Sequence, residues 1–188
     1  MRVGVLALQG AFREHQKALS ECGVDSALIK KPGQLAGISA LIIPGGESTT
    51  IGKLLKEFGL LGPIKKMGEE GLPIFGTCAG MILLAKDIAD SEQPRLGLMD
   101  IAVERNAFGR QVESFEADTD VPDLGPKPFR TVFIRAPYIL SVKSGVEVLA
   151  RYDSKIIFAR QGKFLAAAFH PELTGDLRVH RYFLKNCI

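Results

Sequence analysis

Residues 73–86, Pro-Ile-Phe-Gly-Thr-Cys-Ala-Gly-Met-Ile-Leu-Leu-Ala-Lys, decide the fold. The short apolar run Pro73–Phe75 predicts a buried strand. A glycine-bearing turn, Gly76–Gly80, follows it, and the apolar residues of Met81–Lys86 predict a helix. A buried strand that leads directly into a helix is the repeating unit of a parallel α/β sheet.

The same unit recurs towards the N-terminus. Apolar runs predict three earlier strands, at Val3–Leu8, Ser26–Ile29 and Ala40–Ile43. Helical spacing predicts helices between them, at Ala11–Cys22, from Ser48 or Thr49 as N-cap to Phe58, and at Pro63–Glu70. This β-α-β-α order predicts an α/β fold with a mostly parallel central sheet and helices on both faces.

The second half is richer in strands. Apolar patterns predict them at Ile101–Glu104, Val112–Phe115, Thr131–Ile134, Val146–Tyr152, Lys155–Arg160 and Phe164–Phe169. Asp153-Ser154 predicts a tight hairpin turn, and the three prolines of Asp118–Pro128 predict a surface loop. A last helix is expected over Asp176–Asn186.

Length and composition exclude several classes of protein. A chain of 188 residues suits one domain, expected over residues 1–188, and 46% hydrophobic with 24% charged residues is ordinary for a globular protein. The net charge of +3 comes from interspersed charges, so a nucleic-acid-binding face is not expected. The apolar runs are far shorter than the roughly 20 residues of a membrane span, and the N-terminus lacks the pattern of a signal peptide.

Cysteine usage predicts a reducing environment. The chain has three widely spaced cysteines, Cys22, Cys78 and Cys187, and so no disulfide framework. A cytoplasmic location is expected. No Cys/His pair has the spacing of zinc ligands, so we expect no metal and no cofactor.

Cys78 is the strongest candidate for a nucleophile. Gly76 and Gly80 flank it at a strand-to-helix turn, which is the cysteine counterpart of the G-x-S-x-G nucleophile elbow. Such a tight turn requires small residues where backbones crowd, and the N-terminus of the helix favours the reactive thiolate. The alternative is a buried, inert cysteine.

His170-Pro171-Glu172 supplies a candidate base and its partner. In an extended segment residues i and i+2 face the same way, so Glu172 is expected to orient the imidazole of His170. His15 and His180 are the competing bases, but both lie in predicted helices and are expected at the surface or in packing.

A glycine loop, Pro44–Ser48, ends the third strand. Its Gly46 N–H, together with the N–H of Ala79, is predicted to form an oxyanion hole. The alternative is a phosphate loop, but the pattern requires four residues between its glycines and Ser or Thr after the Lys. Here five residues separate Gly46 from Gly52, and Leu54 follows the lysine.

Taken together, these segments resemble the triad-type (class I) glutamine amidotransferases, which share a three-layer, flavodoxin-like fold. The resemblance narrows to the family of glutaminase subunits of pyridoxal 5′-phosphate synthases. It covers essentially the whole chain and is carried by residues 4–11, Pro44-Gly45-Gly46-Glu47-Ser48-Thr49-Thr50, residues 76–80, residues 104–111, Phe133-Ile134-Arg135-Ala136-Pro137 and Phe169-His170-Pro171-Glu172.

The resemblance implies hydrolysis of L-glutamine to L-glutamate and ammonia through a thioester on Cys78, with His170 and Glu172 completing the triad. It implies glutamine contacts from six residues: Gly46, Glu47, Ser48, Arg105, Ile134 and Arg135. It also implies a partner, a (β/α)₈-barrel synthase subunit in a large hetero-oligomer that receives the ammonia. Gln9, Gly10 and His15 are the expected partner contacts.

One rival shares the cysteine elbow. Proteins of the DJ-1 or intracellular-protease type have the same architecture and act as chaperones, deglycases or peptidases. Such a protein is expected to lack both the His-Pro-Glu segment and the Gly-Gly-Glu-Ser loop.

Overall fold

A computed structural model describes residues 1–105 and 114–188 of the chain. Its strands are β1 (Arg2–Leu6), β2 (Asp25–Ile29), β3 (Ala40–Ile43), β4 (Ile74–Thr77), β5 (Ala85–Ile88), β6 (Met99–Glu104), β7 (Ser114–Thr119), β8 (Phe129–Ile134), β9 (Tyr138–Val142), β10 (Glu147–Tyr152), β11 (Lys155–Gln161) and β12 (Phe164–Ala167). Its helices are α1 (Phe12–Glu21), α2 (Ser48–Glu57), α3 (Leu61–Glu69), α4 (Ala79–Leu84) and α5 (Arg178–Asn186). Short 3₁₀ turns cover Pro32–Leu35, Pro122–Leu124 and Pro171–Leu173.

The strands of the central sheet lie in the order β2-β1-β3-β4-β12-β11-β9-β6-β5, with β10 pairing on β11, while β7 and β8 form a separate antiparallel pair. The five strands from β2 to β12 are mutually parallel. Strand β11 pairs antiparallel with β12, β10 and β9, and β9 pairs antiparallel with β6. The last pair, β5 with β6, is parallel. The predicted α/β fold with a mostly parallel sheet is confirmed.

Helices cover both faces because alternate residues of a buried strand point to opposite sides. The Phe75 ring lies against His180 and Phe183, so α5 covers one face of β4. His15 of α1 packs on the same side of Phe75. The neighbouring side chain of Ile74 lies beside Gly68, so α3 covers the opposite face. The layers are therefore helix, sheet and helix.

The second half corrects several predictions. Residues 85 and 86, predicted as the end of a helix, belong to strand β5, and strand β9 was not predicted. Strand β7 extends into the predicted loop as far as Thr119. The predicted turn at Asp153-Ser154 is confirmed, since both residues have positive φ and join antiparallel β10 and β11. The predicted strand start at Val112 and residues 106–111 of the resemblance lie outside the described residues.

The parallel strands end at one edge of the sheet. The carboxyl ends of β1, β3, β4 and β12 lie side by side there, because these strands are adjacent and share one direction. The loops that follow them begin the segments that carry Gln9, Gly46, Cys78 and His170. Ligands bind at this edge in open α/β sheets. No helix in the described part of the chain is long and apolar enough to cross a membrane.

Candidate active site

A cavity of about 310 Å³ opens at this edge. Most of the residues predicted for the site line it. The lining consists of Gln9, Gly46, Glu47, Ser48, Cys78, Ile82, Arg105, Ile134, Arg135 and His170. Glu172 and Ala79 lie behind this lining, both buried.

Cys78 occupies a strained turn between β4 and α4. Its φ of 47° and ψ of −101° are rare for a residue with a side chain, and such strain concentrates at functional sites. The crowding predicted at both glycines is confirmed. A Cβ on Gly76 would lie 2.5 Å from the carbonyl of Gly80, and one on Gly80 would lie 2.1 Å from the carbonyl oxygen of Ile43.

His170 and Glu172 form a buried pair. His170 Nδ1 lies 2.8 Å from Glu172 Oε1. The extended segment predicted for this pair is wrong, because Pro171–Leu173 is a 3₁₀ turn. The turn brings the two side chains together instead, since it reverses the chain directly after His170.

The electrostatics of the pair favour a protonated imidazole. Burial alone would lower the pKa of His170, but hydrogen bonds to Cys78 and Glu172 outweigh it and raise the pKa to about 10. Burial likewise would raise the pKa of Glu172, but attraction to His15 and the hydrogen bond with His170 lower it. His170 therefore carries a proton that it can donate at neutral pH.

The glycine loop fits closely around the imidazole. A Cβ on Gly45 would lie 2.2 Å from His170 Cε1, so only glycine fits at that position. Gly10 has a φ of 102°, and a Cβ there would lie 1.8 Å from the carbonyl oxygen of Gly45, which also accepts a hydrogen bond from the N–H of Ala11. The side chain of Gln9 accepts a hydrogen bond of 2.8 Å from the N–H of Glu47. The loop after β1 thus holds the loop after β3.

Glu47 caps α2, and the prediction of Ser48 or Thr49 as N-cap is wrong. The carboxylate of Glu47 accepts hydrogen bonds from the N–H groups of Thr49 and Thr50, at 3.1 and 2.6 Å. The hydroxyl of Ser48 donates instead to Gln93 Oε1. The chain's own carboxylate thus occupies the helix N-terminus that a phosphate would take, which argues against the phosphate-loop alternative.

Arg105 is fixed at the cavity by two acceptors. Its guanidinium donates to Thr49 Oγ1 at 3.1 Å and to Gln93 Oε1 at 3.0 Å. Gln93, which is 8% exposed, was not predicted from the sequence. A single glutamine between a glutamate and a proline carries no local signal of such a role. Gln93 connects the start of α2 with the end of β6.

Ile134 and Arg135, at the end of β8, form another part of the cavity wall. The Cys78 thiol donates a weak hydrogen bond to the carbonyl oxygen of Ile134, at an Sγ to oxygen distance of 3.9 Å. Arg135 has a positive φ of 43°, a second strained residue at the cavity. The side chains of Arg105 and Arg135 thus bring two cations to one cavity beside a thiol.

His15 is buried, whereas a contact with a partner subunit requires an exposed side chain. It was predicted as a contact beside the rim, but its side chain is fully buried against Phe75, Thr77 and His180. The reason is the register of α1, which turns His15 towards the sheet while Glu14 remains exposed. Of the predicted partner contacts, Gln9 is half-buried and Gly10 exposed.

The other two cysteines lack the environment of Cys78. Burial raises the pKa of Cys22, and it raises the pKa of Cys187 to about 11. A thiol with a raised pKa is a poor nucleophile at neutral pH. Across residues 1–105 and 114–188, no group of three or more His, Cys, Asp and Glu side chains is arranged to hold a metal ion.

Comparison with known proteins gives a consistent family. Residues 5–188 match the SNO glutamine amidotransferase family. The pyridoxal 5′-phosphate synthase subunit PdxT of Pelotomaculum thermopropionicum is 73% identical over 188 residues, which cover 100% of this chain and 96% of that protein. The subunit of the same name from Desulforamulus reducens is 65% identical, with 98% of each chain covered. A crystal structure described as a glutamine amidotransferase superposes with a TM-score of 0.93 at 57% identity, again with 98% of each chain covered.

Proposed function

The chain belongs to the SNO glutamine amidotransferase family, and from this premise we propose that it is the glutaminase subunit of a pyridoxal 5′-phosphate synthase. It hydrolyses L-glutamine to L-glutamate and ammonia. The observation that carries the proposal is a strained Cys78 in the same cavity as His170, which Glu172 holds, with Arg105 and Arg135 also in the lining.

The proposed reaction has two steps. The Cys78 thiolate attacks the side-chain amide carbon of glutamine, and the N–H groups of Gly46 and Ala79 stabilise the resulting oxyanion. As the first residue of α4, Ala79 has an N–H with no partner inside the helix. His170 protonates the leaving ammonia, and a γ-glutamyl thioester remains. Water, which loses a proton to His170, then releases glutamate and regenerates the thiol.

The charges at the cavity suit a free amino acid. The guanidinium groups of Arg105 and Arg135 match the α-carboxylate of glutamine. Glu47 holds a negative charge for the α-ammonium, because its hydrogen bonds with Thr50 and Thr49 outweigh burial and lower its pKa. Its carboxylate accepts three hydrogen bonds already, and a carboxylate has about four acceptor sites, so one remains for the substrate.

The DJ-1-type alternative is not supported. It does not account for the His170–Glu172 pair or for the arginines at the cavity, and the family match favours the glutaminase.

The ammonia goes to a synthase subunit. The relatives are named as subunits of a synthase, and we propose that the partner is a (β/α)₈ barrel within a large hetero-oligomer. The exposed Gly10 and the half-buried Gln9 lie on the rim and are candidate contacts. Three free cysteines support the reducing cytoplasm as the location.

Glutamate release from L-glutamine tests the function. The full chain alone should hydrolyse glutamine slowly. Its synthase subunit should raise the rate by roughly 5- to 150-fold, the ordinary range of coupling between sites. Full activity without the partner would contradict the proposed activation.

Two variants test the roles within the site. Cys78→Ala should lower kcat by about 10⁴-fold or more, because the nucleophile is lost. His170→Asn should do the same, because it removes the acid–base group. Cys187→Ala is the matched control and should retain the rate. Wild-type activity in Cys78→Ala would overturn the assignment.

A further inference from the structure

Behind the triad, on the side away from Cys78, Glu172 is followed by a series of buried polar side chains. Glu172 Oε1 lies 2.8 Å from His170 Nδ1, while its other oxygen, Oε2, lies 3.4 Å from His15 Nε2. Within the described residues no hydrogen bond reaches Oε2 in this arrangement. An anionic oxygen that is buried without a donor is costly, so the nearest N–H is its natural partner.

His15 is itself held from two sides. Its Nε2 lies 3.2 Å from Thr77 Oγ1, and its Nδ1 lies 2.9 Å from His180 Nε2. His15, Thr77 and His180 are all fully buried. The three side chains come from α1, β4 and α5, and Thr77 directly precedes the nucleophile. This series therefore ties the back of the triad to both helices of one face.

The charge on Glu172 selects the ring tautomers. If His15 carried its proton on Nδ1, the lone pair of Nε2 would face the carboxylate. With the proton on Nε2, the ring presents a donor to Oε2 and to Thr77. Nδ1 is then an acceptor for the N–H of His180 Nε2, so the ring N–H groups of His180 and His15 are both directed along this series towards Glu172.

Both imidazoles are neutral in this arrangement. Burial lowers the pKa of His15, despite the opposing attraction of Glu172. Burial and the neighbouring His15 lower the pKa of His180 to about 3. A neutral His15 presents its Nε2–H to Glu172 without adding a second buried cation beside His170.

We propose that His15 is a positioning residue, whose Nε2–H holds Oε2 of Glu172 so that Oε1 stays directed at His170, with His180 fixing its tautomer. It touches neither substrate nor the reacting atoms. The inference rests on the proposed glutaminase function and adds a residue to it. It also replaces the surface role first predicted for His15.

Two substitutions at His15 separate positioning from packing. In His15→Gln, the side-chain amide nitrogen takes the place of Nε2 and keeps a donor beside Glu172. In His15→Asn, the shorter amide takes the place of Nδ1 and leaves Oε2 without a donor. With the synthase subunit present, His15→Asn should lower kcat for glutamine about tenfold or more at unchanged KM, the effect of one hydrogen bond to a charged group. His15→Gln should retain most of kcat.

Proton NMR of the full chain supplies a readout that packing alone would not move. The His170 Nδ1–H signal, assigned by its absence in His170→Asn, should be seen in wild type and His15→Gln. It should be lost through faster exchange in His15→Asn, where Glu172 is free to turn. Should His15→Asn not fold, the pair His180→Gln and His180→Leu tests the contact that fixes the tautomer of His15. Gln keeps a donor beside His15 Nδ1 and should retain most of kcat, whereas Leu removes the donor and should lower kcat.

The outcomes are distinct. Wild-type kcat and an intact His170 signal in a folded His15→Asn would overturn the proposal, as would equal losses in the Gln and Asn variants. If wild-type protein with its synthase subunit released no glutamate, the proposed function would fail. The NMR comparison would still decide whether His15 positions Glu172.

Discussion

At Cys78 the backbone adopts a conformation that few residues with side chains tolerate, and three glycines make room for it and its partner. Gly76 and Gly80 allow the turn, and Gly45 admits the imidazole of His170. The spacing of Gly76 and Gly80 around Cys78 predicted the elbow, whereas the fit of Gly45 against His170 was not predicted. The contacts of Gln93 and His15 could not be predicted, because they join residues far apart in the chain.

Gly45→Ala tests the fit of the loop around His170. The added Cβ would lie 2.2 Å from His170 Cε1, so the ring must shift, and a displacement of about 1 Å can cost about 10²-fold in rate. We expect kcat to fall by about that factor, with a loss of about 1–3 kcal/mol in the free energy of unfolding. Kinetics and urea denaturation measure both.

Gly62→Ala is the control for Gly45→Ala. Gly62 lies in α3 with nothing within 4 Å of an added Cβ. The kcat of this variant should be unchanged, because Gly62 is exposed and does not line the cavity. Wild-type kcat in Gly45→Ala would show that the loop does not constrain the imidazole.

The pH dependence of kcat/KM tests the His170–Glu172 pair. Because the pKa of His170 is raised to about 10, it remains a proton donor at neutral pH, and activity should be lost as pH rises through about 10. Glu172→Gln removes the anion that stabilises the imidazolium, so this loss should move to lower pH by about 1 unit or more. An unmoved basic limb would show that Glu172 does not set the protonation of His170.

Among the elements, helix starts were harder to predict than helix bodies. Apolar spacing located α1, α2 and α3 to within a few residues, but the cap of α2 proved to be Glu47 rather than Ser48 or Thr49. Ser48 donates its hydroxyl to Gln93, a partner that no local pattern indicates. The segment between β5 and β6 thus engages Ser48, while Glu47 caps α2.

Glu47→Ala tests the cap. Loss of the side chain should lower the free energy of unfolding by about 1 kcal/mol at pH 7. The folded state lowers the pKa of Glu47, so this stabilisation is present above its unfolded value of 4.5 and is lost as the pH falls below it. Thermal unfolding at pH 7 and pH 3 should show a difference between the two proteins that shrinks at pH 3. An equal difference at both values would rule out the ionised cap.

On the scale of the whole molecule, the parallel direction of the first strands followed from sequence, as did the turn at Asp153-Ser154 between β10 and β11, but strands β5 and β9 did not. Strands β1, β3 and β4 are continuous apolar runs, and consecutive βαβ units fix their direction. Strand β5 carries two exposed charged residues, Lys86 and Asp87, between its buried ends, and β9 exposes Leu140 and Ser141 after its buried Ile139. Their places are set by pairing with β6 at a distance along the chain, which local patterns do not encode.

Cys78 lies at the edge where the parallel strands end, and we propose that it is the nucleophile for glutamine. A chloromethyl ketone analogue of glutamine, added to the full chain with its synthase subunit and followed by peptide mass mapping, tests it most directly. We expect modification at Cys78, with protection by excess L-glutamine. Modification of Cys22 or Cys187 with Cys78 left free would contradict it.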